Sequence, residues 1–223
     1  MASLYVYALT DAAIPAWADD GRGIEAIPVG RFFAVCERRA AAPAVDEAEL
    51  RRQHAIVLRI AESAPAVLPA RFGSLVDDAE LARILHDRAE VVLAALDRVR
   101  GHVQMTVRIA VDGSLPAGGE ETTRSPALQG CSPTGSGRAY LQERFRQAIP
   151  DIPPRACVPL NAVKKWVADE RRPARGTGMI TLYQLVRRAD VQQYKDALAH
   201  ADVAGMRVSG PWPAFAFAPD LWT

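Results

Sequence analysis

The order of apolar and polar positions divides the first half of the chain into short strands and helices. Residues 3–9 are rich in β-forming side chains and end at a Thr-Asp pair, which is typical of a strand. Residues 24–29 and 31–37 are apolar segments on either side of Gly30, and this spacing predicts a tight hairpin. Residues 103–109 alternate with a period of two, which predicts a strand with one solvated face.

Two helices are predicted between these strands. Asp46 followed three residues later by Glu49 is a helix-start signal, and the same signal recurs at Asp77. The apolar face of the first helix consists of Leu50, His54, Val57, Leu58 and Ala61, and Pro65 ends it. The second helix continues with helical period to Val99, and Gly101 follows as its C-terminal stop.

The second half of the chain is less regular. Residues 112–137 are dominated by Gly, Pro, Ser and Thr, and residues 138–148 are helix-like. The proline-rich residues 151–178 are interpreted as mostly irregular, with one short helix around 163–168. A strand at residues 179–186, a helix that Asp190 caps and a strand at 206–208 complete the chain.

This arrangement predicts an α+β protein of two domains. We assign residues 1–111 to an N-terminal α+β domain and 112–137 to a linker or long loop. Residues 138–223 form a smaller C-terminal α+β domain that ends in an aromatic strip.

Composition and charge exclude several classes of function. The 223 residues contain 27 Lys plus Arg and 26 Asp plus Glu, so the formal net charge is +1. This balance provides no basic surface for general nucleic-acid binding or for binding to membrane surfaces. The longest apolar runs, such as residues 91–96, are far shorter than the roughly 20 residues that span a bilayer. Because the first residues lack a basic segment, we expect a cytoplasmic protein with no membrane association.

Candidate chemistry is sparse. Gly130 and Gly135 have the spacing of a phosphate-binding loop, but Ser136 stands where the loop needs a lysine. None of the four histidines has a His, Cys or carboxylate partner at ligand spacing, and the chain has no G-x-S-x-G motif. We therefore predict no catalytic residue, no metal ligand and no cofactor.

Two segments have an unusual composition. Leu68, Pro69, Arg71, Phe72 and Gly73 combine a rigid ring, a planar cation, an aromatic and a glycine between two helices. Arg71 either pairs with a carboxylate or backbone carbonyls and locks the helices together, or is an exposed contact for an anion or a partner.

The second segment is the C-terminus, where Gly210, Pro211, Trp212 and Pro213 are followed by further aromatic residues. The two prolines exclude a central strand and stiffen the segment. The aromatic side chains are buried either against their own domain or against a partner.

Four blocks along the chain resemble the gas vesicle protein GvpL/GvpF family. The most specific are residues 67–73 and residues 209–213; the opening residues 4–7 and the block that contains Gly137, Tyr140 and Leu141 add to them. The blocks occur in the family's order and span nearly the whole chain, although residues 112–177 match little outside the third block.

This resemblance implies an accessory protein for building gas vesicles, located in the cytoplasm and at the vesicle. It implies a ferredoxin-like N-terminal domain, no enzymatic activity, and binding of the hydrophobic main shell protein and of other accessory proteins early in assembly. Our hypothesis is that the aromatic strip and the domain junction provide the apolar surface, with Trp212, Phe215 and Phe217 as contact residues. A small enzyme and a regulatory binding module on the same scaffold remain as alternatives.

Overall fold

A computed structural model describes residues 3–19, 21–111, 152–173, 178–201 and 203–221. The strands are β1 Ser3–Thr10, β2 Trp17–Asp19, β3 Arg22–Val29, β4 Phe32–Arg39, β5 Val67–Pro69, β6 Leu75–Val76, β7 His102–Ala110, β8 Val167–Arg171, β9 Met179–Arg187 and β10 Met206–Trp212. The α-helices are α1 Glu47–Ser63, α2 Asp78–Asp87, α3 Ala89–Val99, α4 Pro154–Val163 and α5 Val191–Ala199. The predicted linker, the block with Gly137, Tyr140 and Leu141, and the predicted helix at 138–148 lie outside the described residues.

The first sheet has antiparallel pairings in the order β2-β3-β4-β1-β5, and β6 also pairs with β1. The predicted hairpin is confirmed as β3 and β4, and Gly30 in its turn has a φ of 60°. Helix α1 packs on one face of this sheet, whereas α2 and α3 pack on the other. Because both faces of the sheet are covered, β1 is buried along almost its whole length.

Helix α1 begins as predicted but is oriented differently. Asp46 is its N-cap, and its carboxylate accepts a hydrogen bond of 2.9 Å from the backbone N–H of Glu49. The buried residues are Gln53, Ile56, Val57 and Ile60. Of the predicted apolar face, therefore, Val57 belongs to the side that packs on the sheet, and the half-buried Ala61 packs against the same cluster. The others form a second apolar stripe along the helix, and Leu50 is 46% exposed.

The long second helix is two helices. The chain breaks at Arg88, where φ is −111° and ψ is 12°. Both pieces keep their apolar sides, which contain Leu81, Leu85, Val92 and Leu96, in the same core cluster. The apolar period continues through the break, and Arg88 is an ordinary helix former, so the pattern predicted a single helix.

The second sheet has antiparallel pairings in the order β10-β7-β9-β8. Strand β7, which we assigned to the N-terminal domain, pairs with β9 and β10, so the sheets divide before His102 and not at residue 111. Its alternating pattern was correctly interpreted as a strand, but the prediction of one solvated face is wrong, because the polar residues Gln104 and Thr106 are buried. An alternating pattern does not identify the strand's partners or what covers its faces. Mixed helix and strand content is confirmed; the two-domain, ferredoxin-like description stays a prediction.

The expectation for residues 151–178 was wrong in two places. A helix occupies Pro154–Val163 with Pro159 inside it, and the predicted helix at 163–168 is instead a short 3-10 turn followed by β8. Pro154 at the first turn suits a helix start because its missing N–H has no helical partner there. Together with the hydrophobic residues Leu160 and Val163 of α4, the α5 residues Tyr194 and Leu198 cover one face of the second sheet.

A buried ionic cluster joins the first sheet to α1. The Glu37 side chain is fully buried and accepts hydrogen bonds from Arg39 Nε at 2.5 Å, Arg52 Nη2 at 2.7 Å and the Tyr7 hydroxyl at 2.8 Å. Arg39 also reaches Glu49 at 2.9 Å. Burial by itself would raise the pKa of Glu37, but hydrogen bonds from the arginines and the tyrosine outweigh it and hold that pKa below its ordinary value.

Replacement of Glu37 by glutamine is expected to lower the free energy of unfolding by about 3–5 kcal/mol, because two largely buried guanidinium groups lose their shared counter-charge. Urea unfolding at neutral pH measures the loss. Glu47→Gln, which removes an exposed pair with Arg51, is the matched control and should change stability by less than about 1 kcal/mol.

The same cluster sets a pH dependence. Because the pKa of Glu37 is lower in the folded chain than in the unfolded chain, its contribution to stability is complete above the unfolded value, about 4.3. That contribution is lost as the pH falls through the folded value. Equal acid destabilisation of the wild type and of Glu37→Gln would contradict this account.

Candidate partner-binding surface at the sheet junction

The first of the most specific sequence blocks, residues 67–73, packs against the segment that follows the second block, residues 209–213. Leu68 and Ala70 share one apolar cluster with Ala214, Phe217 and Leu221 of the C-terminal tail, which we define as residues 209–221. Leu185 of the second sheet belongs to the same cluster. The tail therefore packs at the junction of the two sheets, beside β5 at the edge of the first.

Backbone geometry accounts for the first block. Leu68 and Pro69 are buried in β5, which pairs with β1 through Leu68 opposite Leu9. Gly73 has a φ of 88°, a conformation that favours glycine, and its N–H donates to the Tyr5 hydroxyl at 3.1 Å. The Phe72 ring is half-buried and meets the Tyr5 ring edge-on at 6.4 Å.

Arg71 pairs with a carboxylate, which agrees with one of its two interpretations. Its Nη2 lies 2.9 Å from Oδ2 of Asp220 in the C-terminal tail, and its side chain is 68% exposed. The partner is thus the tail, not a group that joins the two flanking helices. Because this pair is exposed to solvent, it contributes little to stability. Its main effect is to align the tail beside β5.

The tail starts as an edge strand, the position in a sheet where proline is tolerated. In β10, Ser209 pairs with Thr106 and Trp212 pairs with Gln104 of β7, with an irregularity between them. Gly210 lies at this irregularity with a φ of 122°, and a Cβ there would be 2.8 Å from the Gln104 carbonyl oxygen. Glycine is therefore required at position 210, because the backbone of β10 lies too close to that of β7 there for a side chain to fit.

The next part of the tail is fastened to the second sheet. The Ala216 N–H donates to Gln104 Oε1 at 2.7 Å, and the Ala216 carbonyl accepts from Arg171 Nη1 at 2.7 Å. Phe217 is only 1% exposed, with the Arg171 guanidinium 5.2 Å from its ring centroid. The prediction that Phe217 contacts a partner is wrong, because its ring lies in the protein's own core. The pattern of aromatic residues did not distinguish inward from outward rings.

The other two aromatic rings, those of Trp212 and Phe215, lie on the second apolar stripe of α1. The His54 ring is 5.5 Å from the Trp212 ring and 6.5 Å from the Phe215 ring, almost parallel to the latter at 19°. Trp212 is half-buried, and Phe215 is 39% exposed. We call Leu50, His54, Trp212 and Phe215 the junction patch. Leu50 and His54 were predicted on the apolar face of the helix, but that pattern did not connect them with the C-terminus.

The other candidate residues do not form a metal or catalytic site within the part of the chain that the structure describes. In those ranges, His, Cys, Asp and Glu side chains do not gather in threes that could hold a metal ion. Cys36 is buried, and burial raises the pKa of its thiol to about 12. None of the helices in these ranges is long and apolar enough to cross a bilayer.

Comparison with known proteins identifies the protein family. The model of the family described as "Gas vesicle synthesis protein GvpL/GvpF" matches residues 3–219. The chain therefore belongs to the GvpL/GvpF family, which implies a role in gas vesicle formation. The resemblance that the 67–73 and 209–213 blocks indicated is confirmed.

Individual relatives agree with this assignment. A Streptomyces sp. (strain CB03234) protein named "Gas vesicle protein L" is 27% identical over an alignment of 250 residues, gaps included. The alignment covers 96% of this chain and 92% of the relative. The crystal structure of GvpF from Anabaena sp. PCC7120 matches with a TM-score of 0.71 at 14% identity, over 99% of this chain and 97% of that one. GvpF from Microcystis aeruginosa matches with a TM-score of 0.69 at 12% identity, over 98% and 99%. The fold is therefore that of the GvpF structures.

Gly210→Ala is expected to destabilise the protein by about 2 kcal/mol or more, because the added methyl group meets a backbone carbonyl and the φ disfavours a side chain. Gly23→Ala is the control: an added Cβ there meets nothing within 4 Å. Thermal unfolding of both variants tests this, and equal melting temperatures would show that the tail does not need this close approach.

Proposed function

We propose that this chain is an accessory protein of gas vesicle assembly that binds the hydrophobic main shell protein, and other accessory proteins, early in assembly. It acts in the cytoplasm and at the growing vesicle, without nucleic acid, membrane or cofactor. One observation supports the binding site in particular: the 67–73 block packs against the tail that contains the 209–213 block, and Leu50 and Phe215 expose apolar surface beside this junction.

The physical argument concerns solubility. A shell subunit that forms a gas-facing wall exposes apolar surface before it is incorporated, and such surface aggregates unless a partner covers it. An apolar patch held on a rigid scaffold binds with little ordering cost. The junction patch meets this requirement, because the backbone beneath Trp212 and Phe215 is fixed by pairing to Gln104.

An enzyme on this scaffold would need titratable groups that converge on an accessible pocket. The cluster around Glu37 does converge, but its carboxylate is fully buried and bonded to Arg39, Arg52 and Tyr7. These contacts favour a structural role for the cluster, and the family match favours vesicle assembly over a regulatory module unconnected with vesicles.

Replacement of both Leu50 and Phe215 by serine should weaken binding to the shell protein at least tenfold, because each change removes an exposed apolar contact at little cost to the fold. Binding is measured with immobilised main shell protein kept soluble by a carrier fusion. Truncation after Val208 is a poorer test, since it also removes Phe217 and Leu221 from the core.

The matched control replaces Val45 and Val158 by serine, because these residues are 84% and 76% exposed and lie outside the patch. The control should bind as the wild type does. Equal weakening by both double variants would point to non-specific apolar adhesion, and no binding by the wild type would refute the proposed function.

A further inference from the structure

Strand β10 forms one edge of the second sheet, and part of its backbone faces away from its neighbour β7. The Ala110 N–H donates to the Gly205 carbonyl oxygen at 2.8 Å, so these two residues are a hydrogen-bonded pair of the ladder. In an antiparallel ladder such pairs alternate with pairs whose backbone groups point outward. The register of Val208 opposite Val107 therefore directs the N–H and C=O of Val208 to the outer edge of the sheet.

Only a short part of this edge is open to another strand. The Met206 N–H donates to the Val203 carbonyl oxygen at 3.0 Å, and Pro211 has no N–H. Prolines and exposed charges, here that of Arg207, protect a natural edge strand from uncontrolled pairing. Within the described residues, the outward N–H and C=O of Val208 make no hydrogen bond. The open part of the edge is therefore centred on Val208.

A hollow of about 410 Å³ lies beside this part of the edge, between β10 and α5. Met206 and Val208 line it from the strand, Leu198 from the helix and Val203 from the connection between them. Since an apolar cavity of about 150 Å³ accommodates a benzene-sized molecule, the hollow has room for a bulky apolar side chain. A strand added beside Val208 would place every second side chain on the face of the sheet that borders this hollow.

Lys195 of α5 gives the hollow a positive charge. It lines the hollow and is half-buried, and its side chain makes no ion pair or hydrogen bond with the described residues. The other described side chains of the lining are uncharged. The next residue, Asp196, is exposed and accepts a hydrogen bond of 2.8 Å from Gln192 Nε2. A carboxylate on an added strand would therefore complement Lys195.

We propose that β10 is the docking edge for an extended segment of the bound shell protein, which adds to the second sheet as a strand beside Val208. The segment carries apolar side chains at alternate positions, one of them in the hollow, and a carboxylate that pairs with Lys195. In this mode of recognition, main-chain hydrogen bonds select an extended chain, while pockets for alternate side chains select its sequence. This inference rests on the proposed function, and the edge leads along β10 to Trp212 of the junction patch.

The first test removes the outward donor. Val208→Pro should weaken binding to the carrier-fused main shell protein about tenfold, because proline lacks the N–H that the added strand needs. Proline is tolerated where the N–H of an edge strand faces outward, so the pairing with β7 remains. Val208→Ala keeps the N–H but loses most of the same side chain, so as the matched control it should bind much more tightly than Val208→Pro. Equal weakening by both variants would assign the effect to lost packing and overturn the docking edge.

Amide hydrogen exchange, resolved by NMR, tests the wild-type chain and does not depend on whether Val208→Pro folds. In the free protein the Val208 amide should exchange faster than that of Ser209, whose N–H faces β7 in the alternation of the ladder. Saturation with the carrier-fused main shell protein should slow exchange at Val208 at least tenfold and change Ser209 much less. Unchanged exchange at Val208 in the complex overturns the docking edge while the proposed function stands.

A further variant addresses the charge. Lys195→Gln should weaken binding severalfold at low salt and less at high salt, whereas Lys164→Gln, at an exposed lysine outside this hollow, should bind as the wild type does. Unchanged binding by Lys195→Gln overturns the carboxylate assigned to the partner. Protection of Val208 in the free chain that is lost on dilution would assign the edge to a second copy and overturn the proposal. Failure of the wild type to bind overturns the proposed function, and the docking edge with it.

Discussion

The structure depends on one apolar cluster that is shared by both sheets and that the C-terminal tail closes. Leu68 from the edge of the first sheet, Leu185 from the second sheet and Phe217 from the tail pack into it together. Apolar burial of this kind is the dominant favourable contribution to folding, and it is non-directional. Three directional contacts give it a definite geometry: Gln104 and Arg171 hold Ala216, and Arg71 reaches Asp220.

The tail therefore has two sides with different roles. Phe217 faces inward and is part of the fold, whereas Phe215, two residues earlier, faces outward beside Trp212. Because the inward side fixes the backbone, the outward rings are presented in a defined position. Under the proposed function, a partner would therefore meet a preformed surface and lose little free energy in ordering it.

The buried ionic cluster is a second point of attachment, on the other side of the first sheet. Arg39 and Arg52 neutralise Glu37 and extend to Glu49 and Asp19, so that β4, α1 and β2 meet through charged groups as well as through apolar contacts. Such clusters specify one arrangement because a displaced member would leave a buried charge without its partner.

The sequence by itself determined the local features: the Gly30 hairpin, the Asp46 cap, the alternation of β7 and the segments that identify the family. Each depends on residues close together in the chain. Tertiary structure alone decided which sheet received β7, where the second helix broke at Arg88, and that Phe217 turned inward while Phe215 stayed exposed. Strand pairing and burial are contacts between residues distant in the chain, and a short pattern that is apolar on one side does not record what will cover that side.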